Sequence, residues 1–171
     1  MKSPRRRARE FALQALYQWQ VAGPSWAEIK KQYADADGFD KADAGLFNTI
    51  VKGAIAEATK LSTAFAPHLD RAWAEVSPVE RSVMLMGGFE LSFMPETPYR
   101  VIINEAIELA KSFGGTDGHK YVNGVLDKYA LAVRADEVAA PYVAKAATLV
   151  KVAKVVAKVT KKVAATKASR T

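Results

Sequence analysis

Apolar residues recur every three or four positions through most of this sequence, in segments that proline and glycine separate from one another. In the first segment the apolar positions are Ala8, Phe11, Ala12, Ala15, Leu16 and Trp19. This spacing places the apolar side chains on one face of an α-helix. No segment shows a convincing β-strand pattern, so we predict an all-α protein.

Start and stop signals divide the sequence into about seven helices with short connections, which implies a compact helical bundle. The strongest start signal is Ser77-Pro78-Val79-Glu80, because the serine can cap the helix, the proline suits its first position, and Glu80 completes a capping box. Two glycines inside that helix, Gly87 and Gly88, indicate close helix–helix packing. We expect the helices at about residues 4–21, 26–34, 41–66, 68–75 and 78–93, then from Thr97-Pro98 to Gly114, and from the polar loop 115–119 to about Val133.

The positive charge of the chain lies at its C-terminal end. After Glu137 there are seven lysines and Arg170 and no acidic residue, whereas residues 1–137 hold 17 basic and 18 acidic residues. We therefore predict a folded domain over residues 1–137 and an Ala/Lys/Val-rich basic tail over residues 138–171. We expect this tail to be disordered, although its valines could also form one face of an amphipathic helix on an anionic surface.

Several classes of function are excluded by what the sequence lacks. It has no cysteine, and no third ligand is evident beside Asp117 and His119, so we expect no metal. The motifs GxxxxGK[ST], GxSxG and HExxH are absent, and we predict a protein that is not an enzyme and has no cofactor or small-molecule substrate. Because there is neither an apolar run of about 18 residues nor a signal-peptide pattern, we expect a cytoplasmic protein without a membrane partner.

Four arginines occupy the first turns of the first predicted helix, after a capping serine and a proline at the first helical position. A helix N-terminus carries partial positive charge, so cations placed there oppose the helix dipole. A polyanion would explain them, because guanidinium groups match phosphate oxygens. A solvated basic terminus is the alternative. The arginines are Arg5, Arg6, Arg7 and Arg9.

A second candidate binding segment is the polar loop and helix start at residues 116–124. It combines a cation, Lys120, an aromatic ring, Tyr121, and polar side chains that include Asn123. Single-stranded RNA is read by such groups, since bases stack on aromatic rings and pair with polar side chains. The alternative is an ordinary loop between helices in which Asp117 caps the next helix.

These stretches together resemble the NusB family of bacterial transcription antitermination factors. The likeness is carried by RRRAREFALQALYQWQ at residues 5–20, INEAIELAKSFG at 103–114 and HKYVNGVLDK at 119–128, with support from residues 79–81 and 89–91. It extends over about residues 2–136. The resemblance implies two packed three-helix bundles and a non-enzymatic protein that binds boxA RNA of nascent ribosomal RNA transcripts. It also implies pairing with NusE, a small-subunit ribosomal protein, in an antitermination complex on RNA polymerase.

The resemblance also assigns residues to two surfaces. RNA-binding residues would be Arg5, Arg6, Arg7, Arg9, Asp117, His119, Lys120, Tyr121 and Asn123, and NusE-binding residues would be Tyr17, Glu80 and Arg81. The sequence departs from the family pattern at Gly118, at Tyr121, where phenylalanine is common, at Leu85, where arginine is frequent, and at Gly87-Gly88.

Two other functions fit parts of the same pattern. One is the NusB-like RNA-binding domain of a ribosomal RNA methyltransferase, which would require a catalytic domain downstream. The other is a basic architectural nucleic-acid-binding protein in which the tail is the active part. Deleting the tail distinguishes a sequence-specific RNA-binding protein from an architectural one, because the specific protein keeps its sequence preference without the tail.

Overall fold

In a computed structural model of the chain, residues 1–140 are described, and residues 1–135 form one compact unit. The described residues contain α-helices and short 3₁₀ turns and no β-strand, which confirms the predicted all-α class. The predicted tail lies outside the described residues from Pro141 onward. The helices are α1 Pro4–Ala22, α2 Trp26–Ala34, α3 Ala44–Ala56, α4 Ala58–Phe65, α5 Pro78–Phe93, α6 Tyr99–Phe113, α7 Gly118–Val133 and α8 Ala135–Ala139.

The compact unit contains two groups of three helices, and α4 contacts α3, α5 and α7. Helices α1, α2 and α3 pack together, as do α5, α6 and α7, and α1 also packs on α5. Both groups contribute large buried side chains, among them Leu16, Ile29 and Phe47 in the first and Met84, Ile102 and Leu126 in the second. Within residues 1–140, no helix combines the length and the apolar character that crossing a bilayer requires.

The expected single helix over residues 41–66 is wrong. Helix α3 starts at Ala44, where the Asp43 carboxylate accepts from the backbone N–H of Leu46 at 2.9 Å. The helix then breaks at Glu57, with φ of −97° and ψ of 4°, before α4 begins. Packing explains the break, because it lets α3 and α4 meet α5 separately. The ring of Phe89 occupies the space beside Gly53 on α3.

The glycine pair on α5 serves the close packing that the sequence indicates. A Cβ atom at Gly87 would lie 2.9 Å from the Leu126 Cδ1 atom of α7, and one at Gly88 would overlap the Phe65 ring of α4. Each glycine therefore allows a neighbouring element to approach α5, which offsets its cost of about 1 kcal/mol in a helix.

The predicted short helix over residues 68–75 is also wrong. The chain instead forms 3₁₀ turns at Ala66–His68 and Trp73–Glu75, with extended backbone at Leu69 and Ala72. The Trp73 ring stacks on Phe65 of α4, with their centroids 5.9 Å apart. This contact fixes the end of an irregular segment, residues 69–72, that runs past the start of α7.

Arg134 fixes the turn between α5 and α6. Its guanidinium group donates to four backbone carbonyl oxygens at distances from 2.7 to 3.0 Å. These oxygens belong to Glu90, Leu91, Met94 and Thr97. Because carbonyl groups at a helix end have no partner within the helix, this one side chain holds together the end of α5, the following turn and the end of α7.

Candidate nucleic-acid interface

The N-terminus of α1 presents three arginines at the surface. Ser3 Oγ accepts from the backbone N–H of Arg6 at 3.2 Å, and Pro4 begins the helix, as the sequence predicts. Arg5 is exposed, and Arg6 and Arg7 are half-buried. The side chain of Arg5 donates to Thr97 Oγ1 at 3.4 Å. These residues place three cations where a polyanion can reach them.

Helix α6 holds the second of these arginines in place. The Arg6 guanidinium lies 3.9 Å from a Glu105 carboxylate oxygen and 3.6 Å from one of Glu108. Both acidic side chains remain partly exposed, at 23% and 47%. Pairs of this kind contribute little to stability in water, so RNA phosphates can compete for the guanidinium group.

The fourth arginine is buried, unlike the other three. Arg9 is 3% exposed and donates to both carboxylate oxygens of Glu90 on α5, at 2.9 and 2.6 Å. Burial by itself would lower the pKa of Arg9, but the hydrogen bond and the charge of Glu90 outweigh it and raise that pKa. Arg9 is therefore used inside the protein to join α1 to α5, and it leaves the set of RNA-facing residues.

The start of α7 carries an exposed ion pair. Asp117 Oδ1 lies 3.0 Å from Lys120 Nζ, and both side chains are 73% exposed. The hydrogen bond with Lys120, followed by the charge of that residue, holds the pKa of Asp117 below its usual value. The Asp117 side chain makes no capping hydrogen bond to α7. Asp117 therefore pairs with Lys120 rather than capping the helix.

Tyr121 packs against a residue that the sequence analysis missed. The Arg71 guanidinium carbon lies 4.6 Å from the centre of the Tyr121 ring, and Arg71 Nε donates to Asp70 at 2.8 Å. Burial, and then the negative charge of Asp70, raise the pKa of the Tyr121 hydroxyl. Arg71 is 46% exposed and belongs to the irregular segment 69–72. Because this segment is not helical, no apolar periodicity shows which of its side chains are exposed. The sequence signal for Arg71 was the adjacent pair of opposite charges, Asp70-Arg71, in a segment without helical periodicity.

Asn123 faces another side of α7. Two positions along an α-helix correspond to a rotation of about 200°, so Asn123 and Tyr121 point in nearly opposite directions. Asn123 lines a groove of ≈ 260 Å³ between α6 and α7, with Tyr99, Asn104 and Asp127 among its neighbours. His119 is half-buried at the start of the same helix. The predicted RNA-facing residues of α7 thus surround its N-terminal end rather than form a single face.

The three predicted NusE-facing residues lie on two elements. Tyr17 is 41% exposed on α1. One turn later, Gln20 donates to the Pro78 carbonyl at 3.2 Å and to Ser82 Oγ at 2.7 Å, which attaches this part of α1 to the start of α5. Arg81 lines a groove beside Gln20. Tyr17 and Arg81 therefore belong to neighbouring surfaces.

Glu80 points away from that groove. One of the two hydrogen bonds of the predicted capping box is present: Ser77 Oγ accepts from the backbone N–H of Glu80 at 3.2 Å. The Glu80 carboxylate itself lies against Gly118, where an added Cβ would come within 2.7 Å of Oε1. A larger residue at Gly118, one of the departures from the family pattern, would therefore require the Glu80 carboxylate to move. Glu80 lies at the boundary between the two predicted surfaces.

Among residues 1–140, no group of three or more His, Asp or Glu side chains is arranged to hold a metal ion. The chemistry that the surface offers is that of cations, a tyrosine ring, amides and carboxylates. These groups bind phosphates, stack on bases and read base edges.

Comparison with known proteins matches this chain to one family. A model of the NusB family matches residues 6–131. The transcription antitermination protein NusB of Dechloromonas aromatica is 56% identical over 144 residues, which cover 84% of this chain and 88% of that protein.

Solved structures agree in fold. NusB of T. maritima superimposes with a TM-score of 0.68 at 30% identity, over 76% of this chain and 92% of that one. A chain from the crystal structure of antitermination factors NusB and NusE in complex with dsRNA has a TM-score of 0.65 at 23% identity. The match covers 74% of this chain and 96% of that one. The family model and the identity to the curated relative lead to the same assignment: the chain belongs to the NusB family.

Proposed function

We propose that this protein is a transcription antitermination factor that binds boxA RNA of nascent ribosomal RNA transcripts together with NusE. In this role it helps to assemble an antitermination complex on RNA polymerase. The observation that carries the proposal is the 56% identity to a transcription antitermination protein NusB over 84% of the chain. The protein acts by binding rather than by catalysis, and it acts in the cytoplasm, where nascent transcripts are made.

The arrangement of cations supports an RNA surface that extends from α1 to α7. Helix α6 packs against both of these helices and holds Arg6. A single RNA strand bound along this side would contact Arg5, Arg6 and Arg7 at one end and Lys120 at the other. Guanidinium and ammonium groups bind phosphates, and they supply affinity without sequence preference.

Sequence preference requires contacts to the bases. The exposed Arg71 guanidinium lies over one face of the Tyr121 ring. RNA bases stack on aromatic rings and on the planes of guanidinium groups. On the other side of α7, the amides of Asn104 and Asn123 line the groove beside Tyr99, where they can pair with base edges. Arg71 thus joins Tyr121 and Asn123 as a candidate for the reading of bases.

The protein-binding surface lies near the other end of α1. Gln20 lies 14 positions after Arg6, which corresponds to about 21 Å along a helix. Tyr17 and Arg81 can therefore contact NusE while the N-terminal arginines contact RNA. This separation supports simultaneous binding of both partners.

The test is a titration of the full chain with boxA RNA and with a scrambled RNA of equal length and composition, each with and without NusE. We expect tighter binding to boxA than to the scrambled RNA, and a larger preference when NusE is present. Equal affinity for the two RNAs under both conditions would overturn the proposal and favour the architectural reading. Methyl transfer to ribosomal RNA would favour the methyltransferase reading.

A further inference from the structure

A groove of ≈ 470 Å³ lies where the end of α1, the helix α4, the turn Trp73–Glu75 and the start of α5 meet. Two tryptophans and Leu85 provide apolar walls, while two hydroxyl side chains and one arginine provide its polar part. The residues that matter here are Trp19, Thr59, Ser62, Trp73, Arg81 and Leu85. Leu85 is itself 2% exposed, so the groove reaches down to the core.

Arg81 has an unsatisfied hydrogen-bond donor at this groove. Its Nε atom is buried and has no hydrogen-bond partner among the described residues. Of the described residues that line the groove, Arg81 is the only one that carries a charge. A buried donor without an acceptor is costly, and the cost is greater for a charged group. Among the described residues, no acidic side chain forms an ion pair with Arg81, so the groove offers a cation without a counter-ion.

We propose that this groove receives an aspartate or glutamate side chain of NusE, whose carboxylate binds the Arg81 guanidinium between Trp19 and Trp73. The inference rests on the proposed function, because it assigns a specific contact within the NusE surface. Tryptophan and arginine are the residues most enriched among the energetic hot spots of protein interfaces. A guanidinium group also binds a carboxylate with two parallel hydrogen bonds, which fixes the orientation of the partner.

The charge of the groove favours a protein partner over the alternatives. RNA surfaces need several cations along a backbone, and this groove has one, about 21 Å along α1 from Arg6. The C-terminal segment 141–171 carries lysines and an arginine and no acid. Its charge has the same sign as that of Arg81, so charge complementarity favours an acidic partner over this segment.

The test measures the affinity of the full chain for NusE by calorimetry. We expect Arg81→Gln to weaken NusE binding by about tenfold or more, which is the effect of losing one hydrogen bond to a charged group. Affinity for boxA RNA alone should stay within about twofold. The matched control is Lys60→Gln on α4, whose side chain is 80% exposed. An equal loss in Lys60→Gln would show general attraction and overturn the specific contact.

A charge exchange identifies the partner residue. Arg81→Glu should abolish NusE binding, and an arginine at one surface Asp or Glu of NusE should restore it. Circular dichroism confirms that each variant is folded before binding is compared. If no such NusE variant restores binding, the carboxylate assignment is overturned.

Two further measurements separate the possible failures. The indole N–H resonances of Trp19 and Trp73 should shift on addition of NusE and not on addition of boxA RNA, and a shift with RNA alone would overturn the inference. If Arg81→Gln is neutral while Tyr17→Ala weakens NusE binding, the inference fails and the proposed function stands. If NusE does not bind the unaltered chain at all, the proposed function fails with it.

Discussion

Arg9 shows how one partner residue can decide what an arginine does. All four arginines belong to one basic run, but only Arg9 is followed three and four positions later by two buried apolar residues, Ala12 and Leu13. Helix rotation turns Arg9 toward α5, where Glu90, 81 positions away, accepts both of its hydrogen bonds. The Arg71–Tyr121 contact is similar, since its partners are 50 positions apart. The apolar spacing of α1 indicates that Arg9 faces inward, but it does not identify Glu90 as the partner, because the contact joins distant segments of the chain.

The Arg9–Glu90 pair leads to a prediction about stability. Glu90→Gln leaves a buried guanidinium without its counter-ion, and we expect the free energy of unfolding to fall by about 3–5 kcal/mol. Replacement of both residues by methionine should cost much less, because no unpaired charge remains. Urea denaturation followed by circular dichroism measures both effects. A loss below about 1 kcal/mol in Glu90→Gln would show that the pair is unimportant for folding.

A second prediction concerns base stacking. We expect Tyr121→Ala to weaken boxA binding by about 1–3 kcal/mol, the usual value of one base stacked on an aromatic ring. Tyr121→Phe keeps the ring and should bind nearly as well as the original chain. Fluorescence anisotropy with labelled boxA RNA gives both affinities. Unchanged binding by a folded Tyr121→Ala protein would remove Tyr121 from the RNA surface.

At the scale of elements, agreement between sequence and structure depends on whether the signals are local. Helices α1, α2 and α5 begin at Pro4, Trp26 and Pro78, as predicted, because a serine precedes each of them and its side chain caps the helix. The division between α3 and α4 at Glu57 was not predictable in this way. It depends on the fit of Phe89 against Gly53 and of Phe65 against Gly88, which are contacts between distant segments.

The N-terminus of α1 yields a prediction about an element as a whole. Arg5, Arg6 and Arg7 stand on consecutive positions of the first turn, and we expect each to contact one phosphate of the RNA. Alanine at all three should weaken binding and lower the slope of log affinity against log salt by about 2, since each phosphate contact with a single strand contributes about 0.7. Binding measured over a series of salt concentrations gives the slope. The same slope in the original and triple-alanine proteins would exclude phosphate contacts by this turn.

At the scale of the whole molecule, the positive charge is concentrated after Glu137. Residues 1–137 hold nearly equal numbers of basic and acidic residues, so their cations act as local groups placed by the fold. The segment after Glu137 has eight basic residues, no acid and a single aromatic residue, Tyr142. Attraction of such a segment to phosphates carries no sequence information. The folded unit should therefore supply the preference for boxA, while the C-terminal segment adds affinity for any RNA.

This separation predicts the behaviour of a chain shortened to residues 1–140. At low salt it should bind boxA and scrambled RNA more weakly than the full chain does, and by a similar factor for the two RNAs. Near physiological salt the difference should shrink, because the Debye length falls to about 8 Å and diffuse charges are screened. Parallel titrations of both proteins at several salt concentrations measure these factors, and thermal melts of each protein serve as the folding control. A loss of boxA preference, or a large fall in melting temperature, would instead mean that the valine-rich segment packs on the folded unit or on a partner.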